Sequence, residues 1–445
     1  MSIHYLMLFA QEKLKCAVPE LESIGRIFGI NLAEKWAKNQ VDSSSMRLLG
    51  SINEQDVKNV MSRSVLTKSA FEIWGVGRNL SELKVSICAF PDTFKLKHFD
   101  ESKTFAVRVK GIGKKVSLSE QVSKMDALED VLPFHGKVNL TCPDAEFYII
   151  EDYLDRVDGQ SPAIPSAMYF GRLVCHGQRS LIDRYSLKKR KFIGNTSMDP
   201  TLAMVMANLA CSTHGHLTCD PFVGTGSLLV AAAHFGSHVI GGDINYNILH
   251  AQGKSSRKGA GWREKDETVR QSLAGYKLGD KFVDVLVCDC ARHAWNVGGK
   301  NLFDGIITDP PYGIREACQR VGSKREEPSV PSLPDGQFHI PEQTAYHLDD
   351  IFKDLINFSV KTLTPGGRLV YWLPVHRADY SDDVIPRHPM LRLVYNCEQI
   401  LNSHSARRLI VMEKLPLKNG INSDCVIKSK IYSGHNAFRD RYFKV

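Results

Sequence analysis

A chain of 445 residues has room for two or three domains, each able to bury a core. With 43% hydrophobic and 24% charged residues it has an ordinary globular composition, and no apolar run nears the roughly 20 residues needed to span a bilayer, which excludes a membrane-spanning helix. The net charge of +8 suits an acidic partner such as nucleic acid, or simply a solvated surface, and 11 scattered cysteines fit reduced thiols and a cytoplasmic location better than a disulfide framework.

MSIHYLMLFA lacks a basic leader and a small-residue cleavage site, so it is expected to be a first strand, not a signal peptide. Residues 1–90 also hold a helix-like PELESIGRIFGI and the apolar FEIWGVG. KTFAVRVK (103–110) alternates as a strand does, a helix is expected at about 117–132, and HGKVNLTCPDAEFYIIED reads as a hairpin or strand pair. Lys103, Arg108, Lys110, Lys114, Lys115 and Lys124 cluster here, and Lys188, Lys189 and Arg190 lie in RYSLKKRKF at the join between halves. These cations can meet RNA phosphates, although for any one of them a solvated surface is the simpler role.

The second half is more regular. HLTCDPFVGTG (216–226) reads as a strand and a glycine-rich turn, and SLLVAAAHFG (227–236) as a helix closed by Gly236. SHVIGGDI (237–244), FVDVLVCDC (282–290) and FDGIITDPPYG (303–313) are further strands. A helix is expected at 346–363, a turn at TPGG (364–367), and a strand at RLVYWLP (368–374). LRLVYNCEQIL and ARRLIVMEKL complete the pattern as an antiparallel edge pair. Alternating strands and helices predict an α/β, doubly wound parallel sheet. The Pro-, Ser- and charge-rich segment from Glu316 to about Glu342 reads as a mobile loop.

The turn DPFVGTGSLL brings backbone N–H groups and a helix N-terminus to a ligand. Asp243 ends the next strand, where a carboxylate can accept from ribose hydroxyls, and Asp289 ends the one after, where it can accept from an adenine amine. That set fits S-adenosylmethionine better than a dinucleotide, because Leu229 stands where a third glycine is required. The Cys211, His214, His216 and Cys219 cluster imitates a metal site, but Cys219 falls inside the strand before Asp220, and no metal is expected.

IITDPPYG then explains itself. An exocyclic amine is a poor nucleophile because its lone pair is delocalised into the ring. The Asp309 carboxylate and the Pro310 carbonyl can hold its N–H bonds and aim the lone pair. Pro310 and Pro311 stiffen the corner without adding donors, and Tyr312 offers a face on which an extruded base can stack. This motif points to methylation of a planar nitrogen. It does not separate adenine, cytosine, guanine or a glutamine side chain.

KKRKFIGNTSMDP, DPFVGTGSLLVAAAHFG, GGDINYN, IITDPPYGIRE, GGRLVYWLP and HSARRLIVMEKL together resemble the family of catalytic subunits of eukaryotic tRNA (guanosine-10-N2)-methyltransferases. The resemblance covers nearly all of residues 185–415. It implies a seven-stranded Rossmann-like methyltransferase domain at 196–445, a linker at 181–195, a THUMP-like RNA-binding domain at 91–180 and an α/β domain at 1–90 before it. It implies that Thr196, Ser197, Asp220, Pro221, Phe222, Gly224, Thr225, Gly226, Ser227, Asp243, Ile244, Asp289 and Cys290 hold S-adenosylmethionine. Asp309, Pro310, Pro311 and Tyr312 would form the catalytic pocket for guanosine N2 at position 10 of tRNA. A small zinc-binding activator subunit is the implied partner. From the residues themselves, Asp199 is expected to cap a helix opened by Pro200. A DNA amino-methyltransferase, a tRNA-binding protein without catalysis and a protein glutamine methyltransferase are the rival readings.

Overall fold

The computed structural model describes residues 3–37, 45–154, 162–295, 301–323, 341–416 and 433–443. By their contacts they divide into two units: Met1–Gln11, Ile30–Ser62 and Thr67–Gln178 in the first, and Glu12–Gly29, Arg63–Leu66 and Arg179–Val445 in the second.

In the first unit the apolar runs become β1 (His4–Phe9), β2 (Met46–Gly50), β3 (Thr67–Gly77), β4 (Phe105–Ile112), β5 (Ala145–Asp152) and β6 (Ala167–His176). They form one sheet in the order β2-β1-β3-β6-β5-β4, in which only β4 and β5 pair in parallel. An aromatic core of Trp74, Phe99, Phe147 and Phe170 fills one side. The expected helix at 117–132 is shorter, running from Leu118 to Asp126 behind a Ser117–Glu120 capping box and followed by a 3-10 turn at Glu129–Val131. The expected hairpin across 135–152 is a single strand, β5. Ahead of it the Asn139 side chain accepts from the N–H groups of Thr141 and Cys142, both at 3.1 Å, which curls the chain into a turn instead of a strand.

The second unit holds β7 (Leu217–Asp220), β8 (His238–Asp243), β9 (Phe282–Val287), β10 (Phe303–Thr308), β11 (Gln319–Val321), β12 (Gln343–Ala345), β13 (Leu363–His376), β14 (Leu391–Ile400) and β15 (Ser405–Lys414). Seven of these build a sheet in the order β14-β15-β13-β10-β7-β8-β9. From β13 through β9 every pair is parallel, while β15 runs antiparallel to both of its neighbours. A parallel core is buried on both faces, which is why β10 reads as a continuous apolar run. The Leu348–Thr362 helix packs Ile351, Phe352, Leu355 and Ile356 against Ile306, Leu369, Tyr371 and Leu373. The segment expected to be a turn at 364–367 is taken into β13 as a bulge, with Gly366 at φ 82°. The segment expected to be a loop, 316–342, is anchored at its base: β11 and β12 pair antiparallel, and residues 324–340 between them lie outside the described residues.

The sequence did not disclose that the Ala17–Ile27 helix packs with the Pro200–Leu209 helix of the second unit. Its fastening is a fully buried carboxylate. Glu20 accepts from Ser64 Oγ at 2.8 Å, from the N–H groups of Val65 and Leu66 at 3.0 Å each, and from Asn208 Nδ2 at 2.9 Å. Burial raises the Glu20 pKa against these donors. Arg63, also buried, adds a bond to Asn208 and another to the Ser212 carbonyl. Truncation at Glu20 would leave several buried donors unmatched. Glu20→Ala is therefore expected to destabilise the protein by about 3–5 kcal/mol, read as a lower urea midpoint; an unchanged midpoint would refute this role.

Candidate active site

Because β7, β8, β9 and β10 are parallel, their carboxyl ends share one edge, and the four acids singled out from sequence arrive there together. Asp220 ends β7 and is buried. Its Oδ1 accepts from the Phe222 N–H at 3.0 Å and from Thr308 Oγ1, at the end of β10, at 2.8 Å. Burial pushes the Asp220 carboxyl up to about 7; the Phe222 and Thr308 donors oppose this, and nearby Asp243 and Asp309 add to it. Asp243 ends β8 and accepts from the Gly224 N–H at 2.7 Å and the Asn245 N–H at 2.8 Å. Its carboxyl too is raised by burial. Each oxygen keeps a further lone pair for a hydroxyl donor.

The turn between β7 and the Ser227–His234 helix needs its glycines. Gly224 and Gly226 stand at φ 50° and 75°, and a Cβ on Gly226 would come within 2.7 Å of Val269. Over Gly224 no heavy atom lies within 4 Å of where a Cβ would stand, so the turn faces open space beside Asp243. Pro221, Phe222 and Thr225 belong to this turn, Ser227 opens the helix after it, and Ile244 follows Asp243 in the chain. Ser197 Oγ lies 2.7 Å from Thr225 Oγ1, which brings the chain before the Pro200–Leu209 helix to the turn. Asp199 caps that helix, with Pro200 at its first position. Thr196 Oγ1 donates to Glu316 at 3.3 Å.

Asp289 follows β9 and is buried beside Cys290, whose thiol is raised by burial. Its two oxygens accept from the N–H groups of Ala291 at 2.9 Å and Val321 at 2.7 Å. The second bond ties β11 to the acid expected to meet adenine. The open turn, the paired acids and their spare lone pairs fit a nucleoside cofactor with a charged tail.

Asp309 follows β10 with Pro310, Pro311 and Tyr312. The Tyr312 hydroxyl donates to Asp309 Oδ1, and Arg407 Nη1 on β15 donates to Oδ2 at 3.2 Å. Burial raises the Asp309 carboxyl, and Arg407 and Tyr312 oppose that rise. The Tyr312 ring meets Phe438 edge-on, with centroids 6.3 Å apart, and Cys318 Sγ donates to the Pro311 carbonyl at 3.1 Å.

Across its whole length the chain aligns with named relatives. It is 44% identical over 447 aligned positions to a mouse protein named tRNA (guanine(10)-N(2))-methyltransferase TRMT11, covering 99% of this chain and 95% of that one. The human protein of that name is 43% identical with the same coverage. The chain belongs to the tRNA (guanine(10)-N(2))-methyltransferase TRMT11 family. Residues 3–179 match the family described as the Tmrp11 THUMP N-terminal domain, and residues 188–325 the RMKL-like methyltransferase domain. The crystal structure of TrmN from Thermus thermophilus is 15% identical, covers 93% of this chain and all of that one, and has a TM-score of 0.43.

Within this family's chain two residues change place relative to expectation. Arg190, expected among the RNA-facing cations, is buried, donates to Ser227 Oγ at 2.8 Å and also to the Thr225 carbonyl. It is a strut under the glycine turn, not a surface charge, and burial lowers its pKa to about 10. Arg407 was not anticipated. Its signal, an arginine pair in the last strand of the chain's sheet pattern, is indistinguishable from ordinary surface charge until pairing between β13 and β14 sets it beside Asp309.

The other cations are scattered in role. Lys188 and Lys189 are exposed, and Lys189 meets Asp183 at 2.5 Å. In the first unit Lys103 and Lys115 are exposed, Lys110 is half-buried with its pKa lowered by burial, Lys114 lies 5.0 Å over the Tyr153 ring, and Arg108 donates to the Leu140 carbonyl at 2.7 Å.

Arg190→Ala is expected to weaken S-adenosylmethionine binding by about tenfold or more by calorimetry, without changing the salt slope of tRNA binding. A flatter salt slope in that variant would restore Arg190 to the RNA surface. A second expectation concerns pH. Asp220 has an ordinary value of 3.8 and a folded value of about 7, so the folded chain holds the extra proton between them. Its stabilising contribution is complete below about pH 4 and is lost as pH rises through 7. Asp220→Asn should flatten the fall in melting temperature across that window; an unaltered slope would contradict it.

Proposed function

We infer that the chain transfers a methyl group from S-adenosylmethionine to the exocyclic N2 of guanosine at position 10 of tRNA. The observation that carries this reading is the meeting, at one sheet edge, of the open glycine turn and its acids with the Asp309–Tyr312 corner, in a chain of the TRMT11 family. The glycine turn, Thr196, Ser197, Asp243, Ile244, Asp289 and Cys290 would hold the cofactor, which supplies an electrophilic methyl group on sulfonium. Asp309 and the Pro310 carbonyl would accept the two N2–H bonds and direct the nitrogen lone pair along the line of transfer. Transfer would break the methyl carbon–sulfur bond and leave the donor as a neutral thioether, and N2, made acidic by the new N–C bond, would give one proton to Asp309, which would pass it to solvent. Tyr312, bonded to Asp309, would set one wall for the base.

The first unit would bring tRNA through shape and phosphate contacts, as suits A-form RNA. Residues 91–180, with Lys103, Arg108, Lys110, Lys114 and Lys115, would dock it, joined by Lys188 and Lys189. A small zinc-binding subunit is the proposed partner. Supporting an apolar contact, β9 lies at the sheet edge and exposes Val283 and Val287. A cytoplasmic location completes the proposal; among the described residues no helix is long and apolar enough to cross a membrane.

Asp309→Ala is expected to lower turnover on unmodified tRNA by about 10²–10⁴-fold while S-adenosylmethionine binding is retained. Mass spectrometry of the tRNA nucleosides reads the product. Near-normal N2-methylguanosine formation by the variant would remove Asp309 from catalysis.

A further inference from the structure

Resting on the methyl-transfer reading above, we propose that Arg407 is a positioning residue: from β15 it clamps Oδ2 of Asp309 and so fixes the orientation and the charge of the carboxylate that receives the guanosine amine.

Arg407 is itself held from both neighbouring strands. On β15 it stands opposite Pro374 of β13 and Gln399 of β14. Its guanidinium lies 4.1 Å over the ring of Trp372, a fully buried residue of β13, and its Nε donates to Gln399 Oε1 at 2.8 Å. The clamped group is thus delivered to Asp309 by side chains on the two flanking strands. Its side chain is only 15% exposed, so water screens the contact little.

Asp309 needs such a partner. A protonated Asp309 would present a donor where the amine requires an acceptor. The groups facing it are Tyr312 of its own corner, Asp220 at the end of β7 and Arg407 of β15. Close by, Glu316 is bonded to Thr196, and Arg439 of the C-terminal segment reaches Gly313 rather than the carboxylate. Burial favours the neutral acid; among the described residues Arg407 is the cation in contact with Asp309 that favours the ion, helped by the Tyr312 hydroxyl. Arg407 takes one lone pair on Oδ2 and Tyr312 one on Oδ1, and the remaining pairs stay available to an amine. The planar fork and its stacking on Trp372 give the clamp a direction that a lysine ammonium would lack.

The full chain, assayed on unmodified tRNA across pH, tests this. Arg407→Met should move the acid limb of kcat upward by about one to three pH units and lower kcat at neutral pH, with cofactor affinity unchanged. Arg407→Lys should recover part of both. Gln399→Ala, which frees Nε and leaves the charge, should move the limb less in the same direction, and it serves if Arg407→Met does not fold. A uniform loss of rate at every pH in Arg407→Met, or in Gln399→Ala where it stands in, would make Arg407 a structural residue and overturn the proposal. Asp309→Ala in parallel separates the two ideas: normal turnover there sinks the catalytic reading, whereas a dead Asp309→Ala beside an unmoved limb sinks only the clamp.

Discussion

Burying carboxylates together is the constraint on which the second unit is built. Asp220, Asp243, Asp289 and Asp309 stand at one edge of one sheet, where each loses water and several repel one another. The structure answers with donors fixed in place before any ligand binds. Backbone N–H groups of Phe222, Gly224, Asn245, Ala291 and Val321 serve three of the acids. The Thr308 hydroxyl also serves Asp220, and a side-chain hydroxyl and a guanidinium serve the fourth. The division is chemically sensible. A cradle for hydroxyls and amines can be made from rigid backbone, whereas Asp309 is held by a guanidinium that is itself fixed on Trp372 and Gln399.

That edge in turn depends on what lies behind it. Arg190 braces the glycine turn from beneath, and the Ser197–Thr225 contact draws the preceding segment onto it. The Val321–Asp289 bond joins the β11–β12 pair to the same edge, so the segment after the Asp309–Tyr312 corner begins from a fixed base. Elsewhere in the unit, Glu20 and Arg63 fasten stretches from early in the chain to the Pro200–Leu209 helix. Arg368 of β13 bonds Ser23 Oγ and the Leu209 carbonyl, both at 2.9 Å, reinforcing the same join.

What could be read from the sequence alone was whatever is local or periodic. The strand-ending acids, the glycine turn, the Asp199–Pro200 cap and the Asp309–Tyr312 corner are each written within a few consecutive residues, and strand–helix alternation ordains a parallel sheet whose carboxyl ends must coincide. Tertiary structure decided the rest, because it depends on pairing between distant segments. Arg190 and Lys189 are neighbours with the same charge, yet only the fold decides which is buried. The two strands β11 and β12, one within the Pro- and Ser-rich stretch and one just after it, are too short to announce themselves without each other. Arg407 becomes part of the site only through the register of β15 against β13, and Glu20 becomes a fastening only because a helix near the start of the chain meets another more than a hundred residues on.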